Sequence, residues 1–231
     1  MSNEKAITIV AFGDSITEAA QQELEDRWPE ILRQALQAHF PGSGIMVVNA
    51  GVGGNTSREG LNRIEKDVLG HNPQFVLVEF GNDATPEPDR HVTFNEFTAN
   101  LDLIRTKVAQ RAKGRIVLLT FPPVIDQWHS HYHHEFYRNN GGQDAYQEHY
   151  RELTRQFACA NAVALVDLDK ALRQAISMRS PEEYILRDGV HLTAQGNHLV
   201  ASLVFEWLSP KISDILRKSE GANQQVDGTR P

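Results

Sequence analysis

The stretch "AITIVAFGDSIT", residues 6–17, carries an unbroken apolar run straight into a small polar turn. Ile7, Ile9, Val10 and Phe12 favour a strand, and the run is too short for a helix of ordinary length. Because it is continuous rather than alternating, it predicts a strand buried on both faces. Gly13, Asp14 and Ser15 then stand at the carboxyl end of that strand. As a turn the triplet is ordinary: Gly admits unusual dihedrals, and Asp and Ser bond their own backbone. Ser15 is therefore either a cap or a nucleophile, and the rest of the chain must decide.

Four more runs have the same character: "IMVVNAG", "FVLVEFG", "RIVLLTF" and "AVALVDL". Segments of helical spacing lie between them. Trp28, Ile31, Leu32, Ala35, Leu36 and Phe40 share one face, as do Leu61, Ile64, Val68 and Leu69, and then Phe94, Phe97, Leu101, Ile104 and Val108. This β-α alternation predicts an α/β fold: a mostly parallel, five-stranded sheet with helices on both faces. A single domain is expected over residues 1–210. A C-terminal extension, 211–231, ends in polar sequence and is expected to be partly disordered.

The 231 residues are 40% hydrophobic and carry a formal net charge of -7, so no basic footprint for nucleic acid or an anionic membrane is evident. Cys159 is the one cysteine. It excludes an internal disulfide and, lying among apolar residues, is expected to be a buried structural thiol. "MSNEKAITIV" lacks the long apolar core of a signal peptide, and no stretch approaches a membrane span. A cytoplasmic protein without stable membrane association is expected.

Ligands of open α/β sheets bind beyond the carboxyl ends of the strands. The first three strands exit into "GDS", "NAGVGGNTS" and "GND", all small, polar and Gly-containing. Near the far end, "RDGVHLTAQGNHLV" places Asp188 three residues before His191, ahead of a helix starting near Thr193. In a turn, that spacing lets the carboxylate reach an imidazole nitrogen, which is the orienter–base half of a nucleophilic triad. Ser15 needs such a base. An acyl-transfer site also needs donors for an oxyanion. Gly54 can bring a backbone N–H close to a ligand, Asn82 can offer its side-chain amide, and Ser15 its own N–H.

Together "FGDSIT", "NAGVGGNTS", "GND" and "DGVHLT", in order over residues 12–193, resemble the four sequence blocks of the SGNH (GDSL-type) hydrolases. The resemblance implies a three-layer, flavodoxin-like α/β/α sandwich. It implies Ser15 as nucleophile, Asp188 and His191 as its triad partners, and Ser15, Gly54 and Asn82 as the oxyanion hole. Two positions depart from the pattern. Ile16 replaces Leu in the first block, and Phe80 stands where the third block usually has Gly.

Other folds fit less well. Ser15 is followed by Thr17 where the α/β-hydrolase elbow needs Gly, and "GVGGNT" has Thr56 where a dinucleotide loop needs its third Gly. His129, His131, His133 and His134 lack metal-ligand spacing with Cys or carboxylates, so no metal and no cofactor is expected. The aromatic and histidine-rich segment 122–142 instead suits a wall facing substrate. Asp14, Asn55, Trp128, His129 and Tyr132 are the candidate substrate contacts. The expected activity is hydrolysis of carboxylic esters through an acyl-enzyme. The substrate would be a small-molecule or oligosaccharide ester bearing short acyl, above all acetyl, groups on a polar alcohol. The alternatives are a thioesterase or lysophospholipase of the same family and a non-catalytic binding module.

Overall fold

A computed structural model describes the backbone of residues 7–227 and the side chains of residues 7–218. Five strands, β1 (Thr8–Gly13), β2 (Met46–Gly51), β3 (Phe75–Glu79), β4 (Arg115–Leu119) and β5 (Ala164–Val166), form one sheet in the order β2-β1-β3-β4-β5. Every pairing is parallel. Eight helices accompany them among the described residues: α1 (Ser15–Glu18), α2 (Trp28–His39), α3 (Ser57–Asp67), α4 (Phe94–Lys107), α5 (Glu135–Asn139), α6 (Gln143–Ala160), α7 (Leu168–Met178) and α8 (Ala194–Asp227).

The two-residue period of a strand divides the core. Ile9 and Ala11 of β1 join Phe75, Leu77, Val117 and Leu119 in one cluster, with Trp28, Leu32 and Leu36 of α2, Leu172 of α7 and Val200, Val204 and Leu208 of α8. Val10 and Phe12 join Val76, Val78, Ile116 and Leu118 in the other, with Ile64 of α3, Leu101 and Ile104 of α4, and Tyr150 and Phe157 of α6. This is the three-layer α/β/α sandwich of flavodoxin-like topology. Truncating a side chain as enclosed as Leu32, 0% exposed, would cost roughly 2–5 kcal/mol.

Three expectations need correction. First, β2 is not buried on both faces: it is an edge strand, and Met46 is 50% exposed. Second, Cys159 is exposed. The inward positions of α6 include Tyr150, Thr154, Phe157 and Ala158, and one further residue turns the side chain away from the sheet. Third, residue 210 is not a boundary. Pro210 lies inside α8, and Ile212 beyond it is 0% exposed within the core. Proline removes one helical hydrogen bond there, and burial of the following turn offsets that loss. Residues 228–231 of the expected extension fall outside the described residues. Among the described residues, no helix is long and apolar enough to cross a membrane.

The strand order reverses direction between β1 and β3. Crevices at such a switch point hold the ligands of open α/β sheets. The loops leaving β1 and β3 carry Ser15 and Asn82.

Candidate active site

Asp14 ends the first strand segment and caps α1. Its Oδ1 accepts the Ile16 N–H at 3.0 Å, which makes Ser15 the first residue of the helix. Ser15 is thus both turn residue and half-buried hydroxyl at the carboxyl end of β1. Its own N–H belongs to the set that a helix start leaves without an intrahelical acceptor. Gly13 is required by close packing: a Cβ there would lie 2.2 Å from Thr17 Oγ1 and 2.3 Å from the Glu79 carbonyl oxygen.

His191 reaches this hydroxyl from 176 positions away in the chain. Its Nε2 lies 2.9 Å from Ser15 Oγ, and its Nδ1 lies 2.7 Å from Asp188 Oδ2. With the ring proton on Nδ1 directed to Asp188, Nε2 is free to accept from Ser15. Asp188 Oδ1 accepts the N–H groups of Val190 at 2.9 Å and His191 at 3.0 Å. Partial burial opposes its charge, but these donors and the His191 ring hold its carboxyl below the usual range. Gly189, at φ +79°, makes the turn. A Cβ on it would lie 2.5 Å from the Ile125 carbonyl oxygen, so only glycine lets residues 125–129 dock against the triad loop. Ile125 N–H donates to the Gly189 carbonyl at 2.8 Å to seal that contact.

Asp14 is not a substrate contact. It is 0% exposed, and its Oδ2 accepts from Gly81 N–H at 2.8 Å, Asn82 N–H at 3.2 Å and Asn82 Nδ2 at 3.3 Å. It ties the loop after β3 to the loop after β1. Beneath it lies Glu79, 1% exposed, whose Oε2 accepts from Thr17 at 2.9 Å. Burial, and after it the charge of Asp14, push the Glu79 carboxyl well above its usual range. Asp14 is also raised by burial, while the N–H groups converging on it favour its charge. Asp83, 0% exposed, bonds the Ser57 N–H and hydroxyl, and burial pushes it up to about 7. Phe80 turns away from the site. It packs edge-on against Phe12, ring centres 5.1 Å apart, so its presence in place of glycine leaves the Asn82 loop bonded to Asp14.

Ser15, Asn82, Asp188 and His191 open into a cavity of about 370 Å³. Trp128 and His129 line it, as expected, and burial lowers His129 from its ordinary range. Arg187 stacks 4.5 Å above the Trp128 ring and occupies one of its faces. Gly54, at φ +76°, lies outside the lining of this cavity. Its neighbour Gly53 is the closer to Ser15, since a Cβ there would lie 3.8 Å from that of the serine. The Gly54 carbonyl is held by Arg90, and its N–H is bonded to no protein group among the described residues.

Two further expected contacts lie outside the lining of this cavity. Asn55 Oδ1 accepts Arg63 Nε at 2.7 Å, and Asn55 does not reach the cavity. Arg63 also bonds the Gly13 and Ala50 carbonyls, so it buttresses the loops rather than the substrate. Tyr132, 44% exposed, lines an adjoining cavity with Gln127 and Arg138, which shares Gln143 with the Ser15 cavity. Gln143, Gln147, Thr85 and Tyr137 line the Ser15 cavity and were not anticipated. Their only sequence signal is position: Gln143 begins a helix just after the aromatic segment. Among the described residues, no group of three or more His, Cys, Asp or Glu is arranged to hold a metal ion.

The family described as GDSL-like lipase/acylhydrolase matches residues 11–199. An acetylxylan esterase of Geobacillus stearothermophilus is 27% identical over 231 residues, covering 90% of this chain and 97% of that protein. An uncharacterized lipoprotein, YqeF of Bacillus subtilis, is 27% identical over 86% of each chain. Among solved structures, a lipase/acylhydrolase from Enterococcus faecalis superimposes with a TM-score of 0.71 at 25% identity, covering 89% of this chain and 96% of that one.

Proposed function

We propose, for a chain that belongs to the GDSL-like lipase/acylhydrolase family and is a carboxylic ester hydrolase, a two-step reaction at Ser15 on short acyl esters of a polar, carbohydrate-like alcohol. The observation that carries it is the relay from Ser15 through His191 to Asp188, open to a cavity. His191 Nε2 takes the hydroxyl proton as Ser15 Oγ attacks the ester carbonyl. Asp188 holds the ring in the correct tautomer and stabilises the imidazolium. The tetrahedral oxyanion is met by the N–H of Ser15, the N–H of Gly54 and the second amide hydrogen of Asn82, whose first points to Asp14. The alcohol leaves with the proton from His191. Water, deprotonated by His191 in turn, then hydrolyses the acyl-Ser15 and restores the hydroxyl.

The acyl and alcohol preferences rest on the walls. The cavity stands near the lower end of the usual range for small-ligand sites, and polar groups interrupt it throughout. Trp128 keeps one ring face clear of Arg187, and an aromatic face of that kind suits a sugar ring. The acetylxylan esterase named above supports the same reading.

The test has two parts. A fluorophosphonate should add to Ser15, seen as a mass shift on its peptide and lost in Ser15→Ala. Acetyl, butyryl and octanoyl nitrophenyl esters, acetylated xylo-oligosaccharides and acyl-coenzyme A should then rank with acetyl and the sugar acetates first. Efficient octanoyl or acyl-coenzyme A cleavage without sugar deacetylation would replace this substrate with a lipid or thioester.

A further inference from the structure

Buried polar side chains on α6 are, with two exceptions, well satisfied. Tyr150 donates to the Val92 carbonyl at 2.6 Å, Arg151 to the Phe121 and Pro122 carbonyls at 3.0 and 2.7 Å, and Thr154 to the Tyr150 carbonyl at 2.8 Å. The exceptions are Gln143 and Gln147, one helical turn apart and both in the wall of the Ser15 cavity. Gln147 is 2% exposed, and its buried Nε2 has no partner. No hydrogen bond joins any part of its amide to the protein among the described residues. Gln143 Oε1 is also buried, within electrostatic reach of the His129 ring but with no hydrogen bond of good geometry.

A buried amide without a partner costs roughly 1–3 kcal/mol, and native folds keep few of them. Two on one helix face, both at the same cavity, point to a ligand that completes them. A primary amide both donates and accepts, and so does a hydroxyl. We infer that Gln147, with Gln143 beside it, reads a free hydroxyl of the substrate next to the ester being cleaved. This deepens the reading of Ser15 as nucleophile and rests on it. The same pair selects against long acyl chains and lipid alcohols. A hydrocarbon filling the cavity would offer neither amide a hydrogen bond.

The test compares two acetate esters of equal carbon skeleton, propyl acetate and 2,3-dihydroxypropyl acetate. The wild-type kcat/KM should favour the dihydroxy ester by about tenfold or more, and Gln147→Leu should bring that ratio close to one. A wild-type ratio near one, or a ratio unchanged in Gln147→Leu, would overturn the inference. Thermal unfolding supplies a second readout. Replacing an unpartnered amide by leucine should leave Tm level or raise it. A fall of more than about 5 °C would show that the amide was bonded within the fold, and would equally overturn it. Should the leucine variant not fold, Gln147→Met, closer in length, carries the same expectation. Neither ester contains a sugar, so the ratio is independent of the carbohydrate reading. Failure at Ser15 itself would show separately, as absence of the fluorophosphonate adduct.

Discussion

Asp14 holds the Gly81 N–H at 2.8 Å, and through that bond the loop leaving β1 is tied to the loop leaving β3 across the switch point of the sheet. The two oxygens of Asp14 accept from Ile16, Gly81 and Asn82 and donate to none. Asp14→Asn should therefore destabilise the fold by about 1–3 kcal/mol, because whichever way the amide is turned its NH₂ meets an N–H donor. Turnover should fall as the Asn82 loop loosens. Denaturant titration and kcat on one ester check both, and an unchanged pair would contradict this account of Asp14.

Ser15→Ala and His191→Ala should each abolish turnover, by about 10⁴-fold or more, while leaving the circular dichroism spectrum intact. Asp188→Asn should cost less than His191→Ala. Asp188 acts through the ring rather than on the hydroxyl, and its second oxygen is already engaged by backbone N–H groups. Single-turnover rates on nitrophenyl acetate measure all three, and Ser15→Ala within tenfold of wild type would remove the nucleophile assignment.

Asn82→Ala should lower kcat by roughly 10²-fold with little change in KM, since an oxyanion donor acts mainly in the transition state. A rise in KM alone would place Asn82 against ground-state substrate instead.

Asp83 makes stability depend on pH in a direction opposite to that of an ordinary ion-paired carboxylate. Burial raises its folded pKa to about 7, above the reference 3.8. Between those values the folded chain keeps a proton that the unfolded chain has lost. Its contribution is full below about 4, declines as pH rises toward 7 and is flat above. Asp83→Asn should flatten the fall in unfolding free energy from pH 5 to 7 by up to about 1.4 kcal/mol per pH unit. Urea titrations at pH 5, 6 and 7 measure that slope, and identical slopes in the two proteins would sink the assignment.

The strands and the meeting of Ser15, His191 and Asp188 were legible because each leaves a local mark. A β-branched run written into Gly-Asp-Ser announces a buried strand and its exit, and Asp188 three residues before His191 is a spacing with one obvious geometry. Direction was not legible. Asp14 and Ser15 are adjacent and equally polar, yet one points into the protein and the other into the cavity. Asn55 looked like a ligand contact until Arg63, eight residues on, proved to occupy its oxygen. Gln143 and Gln147 carry no mark in the sequence, because only tertiary packing shows that their side of α6 adjoins a cavity. Glu79 was the missed clue: a carboxyl at the end of an apolar strand must be neutral or paired, and here burial pushes it well above its usual range while Thr17 donates to one of its oxygens.

The 176 positions from Ser15 to His191 give the protein a sense of time. A nascent chain presents Ser15 long before it presents His191. Throughout synthesis it can assemble β1 to β4 and remain hydrolytically silent, its serine no more reactive than any other. Recovered ester turnover during refolding would thus clock the final closure of the chain, while a spectroscopic signal from the sheet would clock an earlier event.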